Sequence, residues 1–453
     1  MNSIIFSLKD YQAGLSQGKY SPPTSLGAPY FEVDPVMYRT YYRSAQLKRR
    51  NLPNAYIELR KRTGSVYFNK TYPLQGRTLD YSARTFPAYR FILPEVLSED
   101  WLAIVDWGKF QRDHVLHQPL CGYIVLKLLG GDGSNSPLIF PNGKTLLETC
   151  VDSIIESDGT KYLIDFLVDV GISSKSPIRT AESEIVKKRV WKAFFIEAAY
   201  IAAVFHDLGY PWQYAERVQG NLDGMNSPSI RQNRSSAQIV DQYGHRLFFH
   251  ALNGYHRRDS ASPSVWDKHL NKLIEAALTN RHGLSGALGF LFLNDCLRRY
   301  PSPNRNPLHL LCVEWVALAI MMHDMRDIYW GKDGYNSGTP ENPFLRIGFR
   351  NDPLSTLVTL VDVIQEFERP AVAYGYTKTK EKVTLRYQEA CSQTEFEIDD
   401  NGILHLRYTM KTPEDLAIKR LSLGEEQTKY FDTRSGYLDL SSLGIEGVEM
   451  TAL

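Results

Sequence analysis

Apolar residues recur at spacings of three and four through the middle of the chain. The stretches VWKAFFIEAAYIAAVFHD, LSGALGFLFLNDCL, LHLLCVEWVALAIMMHD and PLSTLVTLVDVIQEFERP all carry this period, which is that of a helix turning one face to a core. Several are apolar nearly all round, as helices enclosed by other helices are. The pattern predicts a helical domain over residues 96–370. Residues 1–95 are rich in Tyr, Pro and Arg with weak periodicity, and read as an extended or mixed N-terminal region. After Pro370 the period changes to two: EKVTLRYQEA, TEFEIDD, ILHLRYTM and GYLDLSSL alternate, with the turn signal DDNG at 399–402. Residues 371–453 are therefore expected to form a small antiparallel β-rich region. The fold class expected is mainly α, an all-helical domain with an N-terminal extension and a small C-terminal β-rich region. Two interruptions fall inside the helical part. The Gly, Asn and Pro cluster at 129–144 predicts a loop or small hairpin, and the polar stretch 221–267 a long functional excursion.

Composition narrows the class without naming a partner. With 52 Lys and Arg against 51 Asp and Glu, net charge does not point to a polyanion. The segment 38–62 is locally basic and carries four tyrosines. It reads first as a solvated helical face and second as an arm for nucleic acid or phosphate. The five cysteines are scattered and form no CxxC pair, which favours reduced thiols and a cytoplasmic setting over a disulfide framework. No signal peptide is read at the N-terminus. No run of about 18 apolar residues marks a membrane span, so no membrane partner is expected.

The helical segments carry polar residues where apolar ones would be cheaper to bury. AAVFHDLGYP runs an apolar helix into His206 and Asp207. Consecutive helical positions point about 100° apart, so both side chains can reach one centre only where the helix ends or bends, which Gly209 permits. His117 lies on the apolar face of RDHVLHQPLCGYIVLKLL, with His114 as its rival. His282 opens one helical segment, His323 closes another, and Asp362 sits within an apolar one. Any one of these has a structural explanation, as a hydrogen-bonded core histidine or a helix-capping aspartate. Their recurrence on separate helices points instead to a common divalent cation, for which imidazole nitrogen and carboxylate oxygen are the usual ligands.

An early His, a consecutive His-Asp ending a helix and a late Asp on an apolar helix, in that order, resemble the HD superfamily of metal-dependent phosphohydrolases. HDLGYP is similar to a common form of the second motif and DPLSTLVTLVDVIQEFERP to the fourth. The resemblance covers residues 98–370 and departs at Cys121, where the first motif usually has valine. It implies metal ligation by His117, His206, Asp207 and Asp362. His282 and His323 resemble the two-metal members, in which Asp207 bridges the ions, with His117, His206 and Asp362 on one and His282 and His323 on the other. The ions implied are one or two of Mn, Mg, Co, Ni, Zn or Fe.

The chemistry implied is hydrolysis of a phosphoester or phosphoanhydride by a metal-activated water, with His206 and Asp207 at its centre. Arg112, Arg281, Arg326 and Arg369 are candidates to neutralise phosphate oxygens, and Asp324 or Asp327 to orient a ligand or accept a proton. Tyr210, Trp212 and Tyr214 could stack a base. The substrate class favoured is a nucleotide, such as a deoxynucleoside triphosphate, or a nucleotide-derived phosphate. Cyclic dinucleotides and single-stranded nucleic acid are alternatives, and homo-oligomerisation is left open. The same ligand order also resembles di-iron oxygenases similar to inositol oxygenase. A third reading is a sensor that binds a nucleotide without turning it over.

Overall fold

The structure, a computed structural model, describes residues 2–16, 114–130, 137–156, 184–207, 209, 282–298, 307–325, 346–350, 352–367, 391–433 and 436–453. Strand β1 (Asn2–Ser7) leads directly into α1 (Leu8–Ser16). Three helices follow: α2 (His114–Leu128), α3 (Leu146–Glu156) and α4 (Glu184–Phe205). Next come α5 (His282–Arg298), α6 (Pro307–His323), the short β2 (Ile347–Gly348) and α7 (Pro353–Ile364). The C-terminal part supplies β3 (Cys391–Ile398), β4 (Ile403–Met410), α8 (Pro413–Phe431), β5 (Leu438–Asp439) and β6 (Gly447–Ala452).

Helix α4 is central, packing against α2, α3, α6 and α7, while α5 lies along α6 and α6 along α7. That is why its sequence is apolar on all sides. Trp191, Phe194 and Phe195 of α4 form a ring cluster with Trp315 of α6, with centroids 5.3, 6.2 and 6.1 Å apart. Each such pair adds about 0.5–1.5 kcal/mol beyond the burial of its area. The Trp315 indole N–H donates to Asp352 Oδ1 at 3.0 Å. Asp352 is also the N-cap of α7, accepting from Ser355 N at 3.0 Å with Pro353 in the first helical turn. One carboxylate thus starts α7 and sets its register against α6.

A four-stranded sheet of order β1-β3-β4-β6 stands beside the helices. Its first two pairings are antiparallel and the last, β4 with β6, is parallel. The β3–β4 turn is DDNG: Asp399 Oδ1 accepts from the N–H groups of Asn401 and Ile403 at 2.9 and 2.8 Å, and Gly402 takes φ 76°. Helix α8 packs on β6 and β4. It is started by Thr412, whose hydroxyl accepts from Asp415 N, and by Pro413. The sheet meets the helices through an aromatic chain, Phe6 to Tyr123 and Tyr123 to Phe367, with centroids 6.1 and 6.4 Å apart.

A mainly α fold, with an all-helical domain flanked by an extension and a β-rich tail, is not what forms. The sheet is mixed and is built from both ends of the chain, since β1 pairs with β3 in the register Asn2↔Ile398. The C-terminal part also carries the 19-residue helix α8. The architecture is α and β together. In the cluster at 129–144, the described residues make a tight turn, with Ile139 bridged to Thr145 and Phe140 N donating to Lys144 O at 2.9 Å. The basic segment 38–62 and the polar stretch 221–267 lie outside the described residues. Among those described, no helix is long and apolar enough to cross a membrane.

Candidate metal centre

Five helices deliver one group of side chains. His117 comes from α2, and His206 and Asp207 from the turn that ends α4. His282 is the first residue of α5, His323 the last of α6, and Asp362 lies two residues before the end of α7. The convergence needs backbones closer than side chains normally allow. A Cβ on Gly209 would lie 1.7 Å from His282 O, so only glycine lets the chain leaving Asp207 run against the start of α5. Across from it, a Cβ on Gly283 would meet the Asp324 side chain at 2.6 Å.

The donor atoms sort around the two oxygens of Asp207. Oδ2 lies 3.6 Å from His117 Nε2 and 3.3 Å from His206 Nε2. Those two nitrogens are 3.0 Å apart, and Asp362 Oδ1 is 3.0 and 3.7 Å from them. On the other side, Oδ1 lies 3.3 Å from His282 Nε2 and 3.6 Å from His323 Nε2, which are themselves 3.1 Å apart. Ligands about 2.0–2.2 Å from a common ion stand about 3.0–3.6 Å from one another; all of these spacings fall in that range except His206 to Asp362, at 3.7 Å. His206, Asp207, His117 and His323 are buried, while the Asp362 and His282 side chains keep 21% and 15% exposure.

What each ring does with its other nitrogen decides the electrostatics. His206 Nδ1 donates to Ala203 O at 2.7 Å and His323 Nδ1 to Ile320 O at 2.6 Å. His282 Nδ1 donates to Asp324 Oδ2 at 3.0 Å, and Gly283 N donates to the same oxygen at 3.2 Å. His117 Nδ1 donates to Gln365 Oε1, and the amide is fixed in that sense because Gln365 Nε2 donates to Phe367 O at 2.6 Å. With all four Nδ1 atoms protonated, each Nε2 turns a lone pair into the cluster. Two such pairs facing each other, beside carboxylates, form a donor set that a cation between them would satisfy. Burial alone would lower the His206 imidazole, but the Asp207 and Asp362 carboxylates outweigh it and raise it above its ordinary value. Burial alone would raise the Asp362 carboxyl, but His117 and His206 outweigh that and hold it well below the usual carboxylate range. The buried grouping could hold a metal ion, and donor atoms of His206, Asp207 and His323 fall within 4.8 Å of one another.

Cys121 belongs to a second such grouping with His117 and His206. Its sulfur lies 3.6 Å from both ring nitrogens of His117.

Of the residues singled out in the sequence, the structure brings together His117, His206, Asp207, His282, His323 and Asp362, with Asp324 behind His282. His114 opens α2, and its side chain lies outside the described residues. Arg112, Tyr210, Trp212, Tyr214, Arg281, Arg326, Asp327 and Arg369 also lie outside them. Sequence reasoning missed Gln365, a polar residue just past a helix end, where polarity is ordinary. Its spacing of three from Asp362 was the only available signal. No family model matches the chain, and neither does any curated protein or any solved structure.

Proposed function

We propose that the chain is a metal-dependent phosphohydrolase acting on a nucleotide or a nucleotide-derived phosphate ester at the Asp207 cluster. The observation that carries the reading is the pairing of Nε2 lone pairs at 3.0 and 3.1 Å on either side of one carboxylate. His117, His206, Asp362 and Asp207 Oδ2 would hold one divalent ion, and His282, His323 and Asp207 Oδ1 a second. Ions bound there would supply an acidified water as nucleophile and positive charge for the phosphate oxygens.

The chain's own residues do the rest. Gln365, Ala203 O, Asp324 and Ile320 O fix the tautomer and ring direction of the four histidines, so the ligand set is in place before substrate arrives. Asp207 spans both groups and keeps their separation constant. Asp324 is committed to His282 and the Gly283 amide, which makes it an orienting group. The HD-type order of the ligands in the sequence supports the same chemistry, as does the mild basicity of a site that attracts a proton when no ion is bound.

A screen of nucleotides and cyclic dinucleotides with Mn, Mg, Co, Ni and Fe, run on wild type and on His206→Ala, tests this reading. Metal-dependent release of phosphate, diphosphate or triphosphate that disappears in the variant is the expected result. Oxygen consumption by a two-iron protein that releases no phosphate would replace the reading with the oxygenase one. Nucleotide binding without turnover under any metal would replace it with the sensor.

A further inference from the structure

The last turn of any helix leaves carbonyls that its own backbone cannot satisfy. In α6 and α7 those turns carry the ligands, and their carbonyls are met by hydroxyls from the C-terminal part of the chain. Tyr437 Oη donates to Met322 O at 2.6 Å, one residue before His323. Thr394 Oγ1 donates to Ile364 O at 3.0 Å, between Asp362 and Gln365, and Tyr408 Oη donates to Val363 O at 3.3 Å. Phe367, whose carbonyl orients the Gln365 amide, is bridged to Cys391 at the start of β3. Lys419 of α8, itself buried, lies 3.3 Å from Glu366. One structural unit thus grips both halves of the cluster, His323 on one side and Asp362 with His117 on the other.

Resting on the metal reading above, we propose that Tyr437 and Thr394 are positioning residues of the metal centre, and that the C-terminal unit sets the spacing between its two halves. Tyr437 acts through the turn that holds His323. Thr394 acts through the turn that holds Asp362 and the Gln365 brace on His117. Each acts through a backbone carbonyl of the turn, so their effect is on ion affinity, one half at a time. A hydroxyl that only capped a helix would change stability and leave the ions alone.

The test is calorimetric titration of the full chain with Mn²⁺, together with the manganese electron paramagnetic resonance spectrum. The variants are Tyr437→Phe, Thr394→Val, Thr394→Ser and the double variant Tyr437→Phe with Thr394→Val. Wild type is expected to bind two ions. Tyr437→Phe should weaken one of them about five- to tenfold, and Thr394→Val the other by a similar factor. The double variant should weaken both, and Thr394→Ser, which keeps the hydroxyl, should restore wild-type affinity. If both single variants bind two ions as wild type does, whatever their melting temperatures, the inference is overturned while the metal reading stands. If wild type takes up no manganese, the metal reading fails and this inference with it. Should Tyr437→Phe not fold, the Thr394 pair decides alone: equal affinities for Val and Ser overturn the proposal, and a loss with Val restored by Ser supports it.

Discussion

Two histidine and carboxylate groupings in this molecule use the same chemistry to opposite effect. In the sheet, His405 presents Nε2 to Asp399 Oδ2 at 3.4 Å and Nδ1 to Glu449 Oε2 at 3.2 Å, and Arg407 beside it reaches Glu395 at 3.1 Å and also Glu397. These side chains are partly exposed, and such pairs add little to stability. In the helical core, His117, His206, His282 and His323 have already given their Nδ1 protons to outer partners, and what remains turned inward is acceptor against acceptor. The sheet grouping sits near water, where its charges are solvated, whereas the core grouping turns four imidazole nitrogens toward one buried carboxylate, Asp207. Among the described residues, the groupings that could hold a metal ion lie in the core and not in the sheet.

The sharpest way to break the comparison is Asp207→Ala, which removes the group common to both halves. It should lower Mn²⁺ affinity by about a hundredfold or more. Titration of His405→Ala alongside should give wild-type uptake, and equal losses in the two variants would erase the distinction drawn here.

Gln365→Leu should come next, weakening Mn²⁺ binding about tenfold by releasing the His117 ring without touching a ligand. Unchanged binding in that variant would show that the ring is held by packing alone.

The pH dependence of the metal-free protein is a smaller effect with a defined sign. His206 is raised above 6.5, so its contribution is fully present below that value and is lost as pH rises through the raised one. Asp362 is depressed below 3.8, so its contribution is present above that value and is lost as pH falls through the depressed one. Metal-free stability from this pair is therefore greatest between 3.8 and 6.5. Added Mn²⁺ should raise the melting temperature more at about pH 8 than at about pH 5, because the ion takes the place of the proton. Melting curves at the two values, with and without Mn²⁺, decide it, and an increment that shrinks with pH would contradict the assignment. Smallest of all, His405→Ala should move the melting temperature by no more than about 1 °C.

How much of this was legible beforehand depends on how local the signal is. The ligands stood out because each interrupts an apolar helical stretch, and a carboxylate such as Asp362 among Val358, Val361 and Ile364 asks for a partner. Helix α8 did not stand out. It buries Asp415, Lys419, Leu423 and Phe431 and otherwise faces outward, so it has no apolar stripe to read. Its only marks were the Thr412 cap and Pro413. Strand β1 was illegible for a different reason, since what makes it a strand is β3, at the far end of the chain. The hydroxyl caps and the Gln365 brace were also out of reach, because a Thr, a Tyr or a Gln gives no hint in sequence of which distant carbonyl or imidazole it will meet.

The pairing of β1 with β3 has a temporal consequence. During synthesis the strand next to the N-terminus must wait, edge bare, until Cys391–Ile398 has emerged, so this sheet cannot be assembled in the order in which it is made. Thr394, Tyr408 and Tyr437 follow all six residues of the cluster in the sequence, so the hydroxyls that meet the last carbonyls of α6 and α7 are made after the side chains those helices carry.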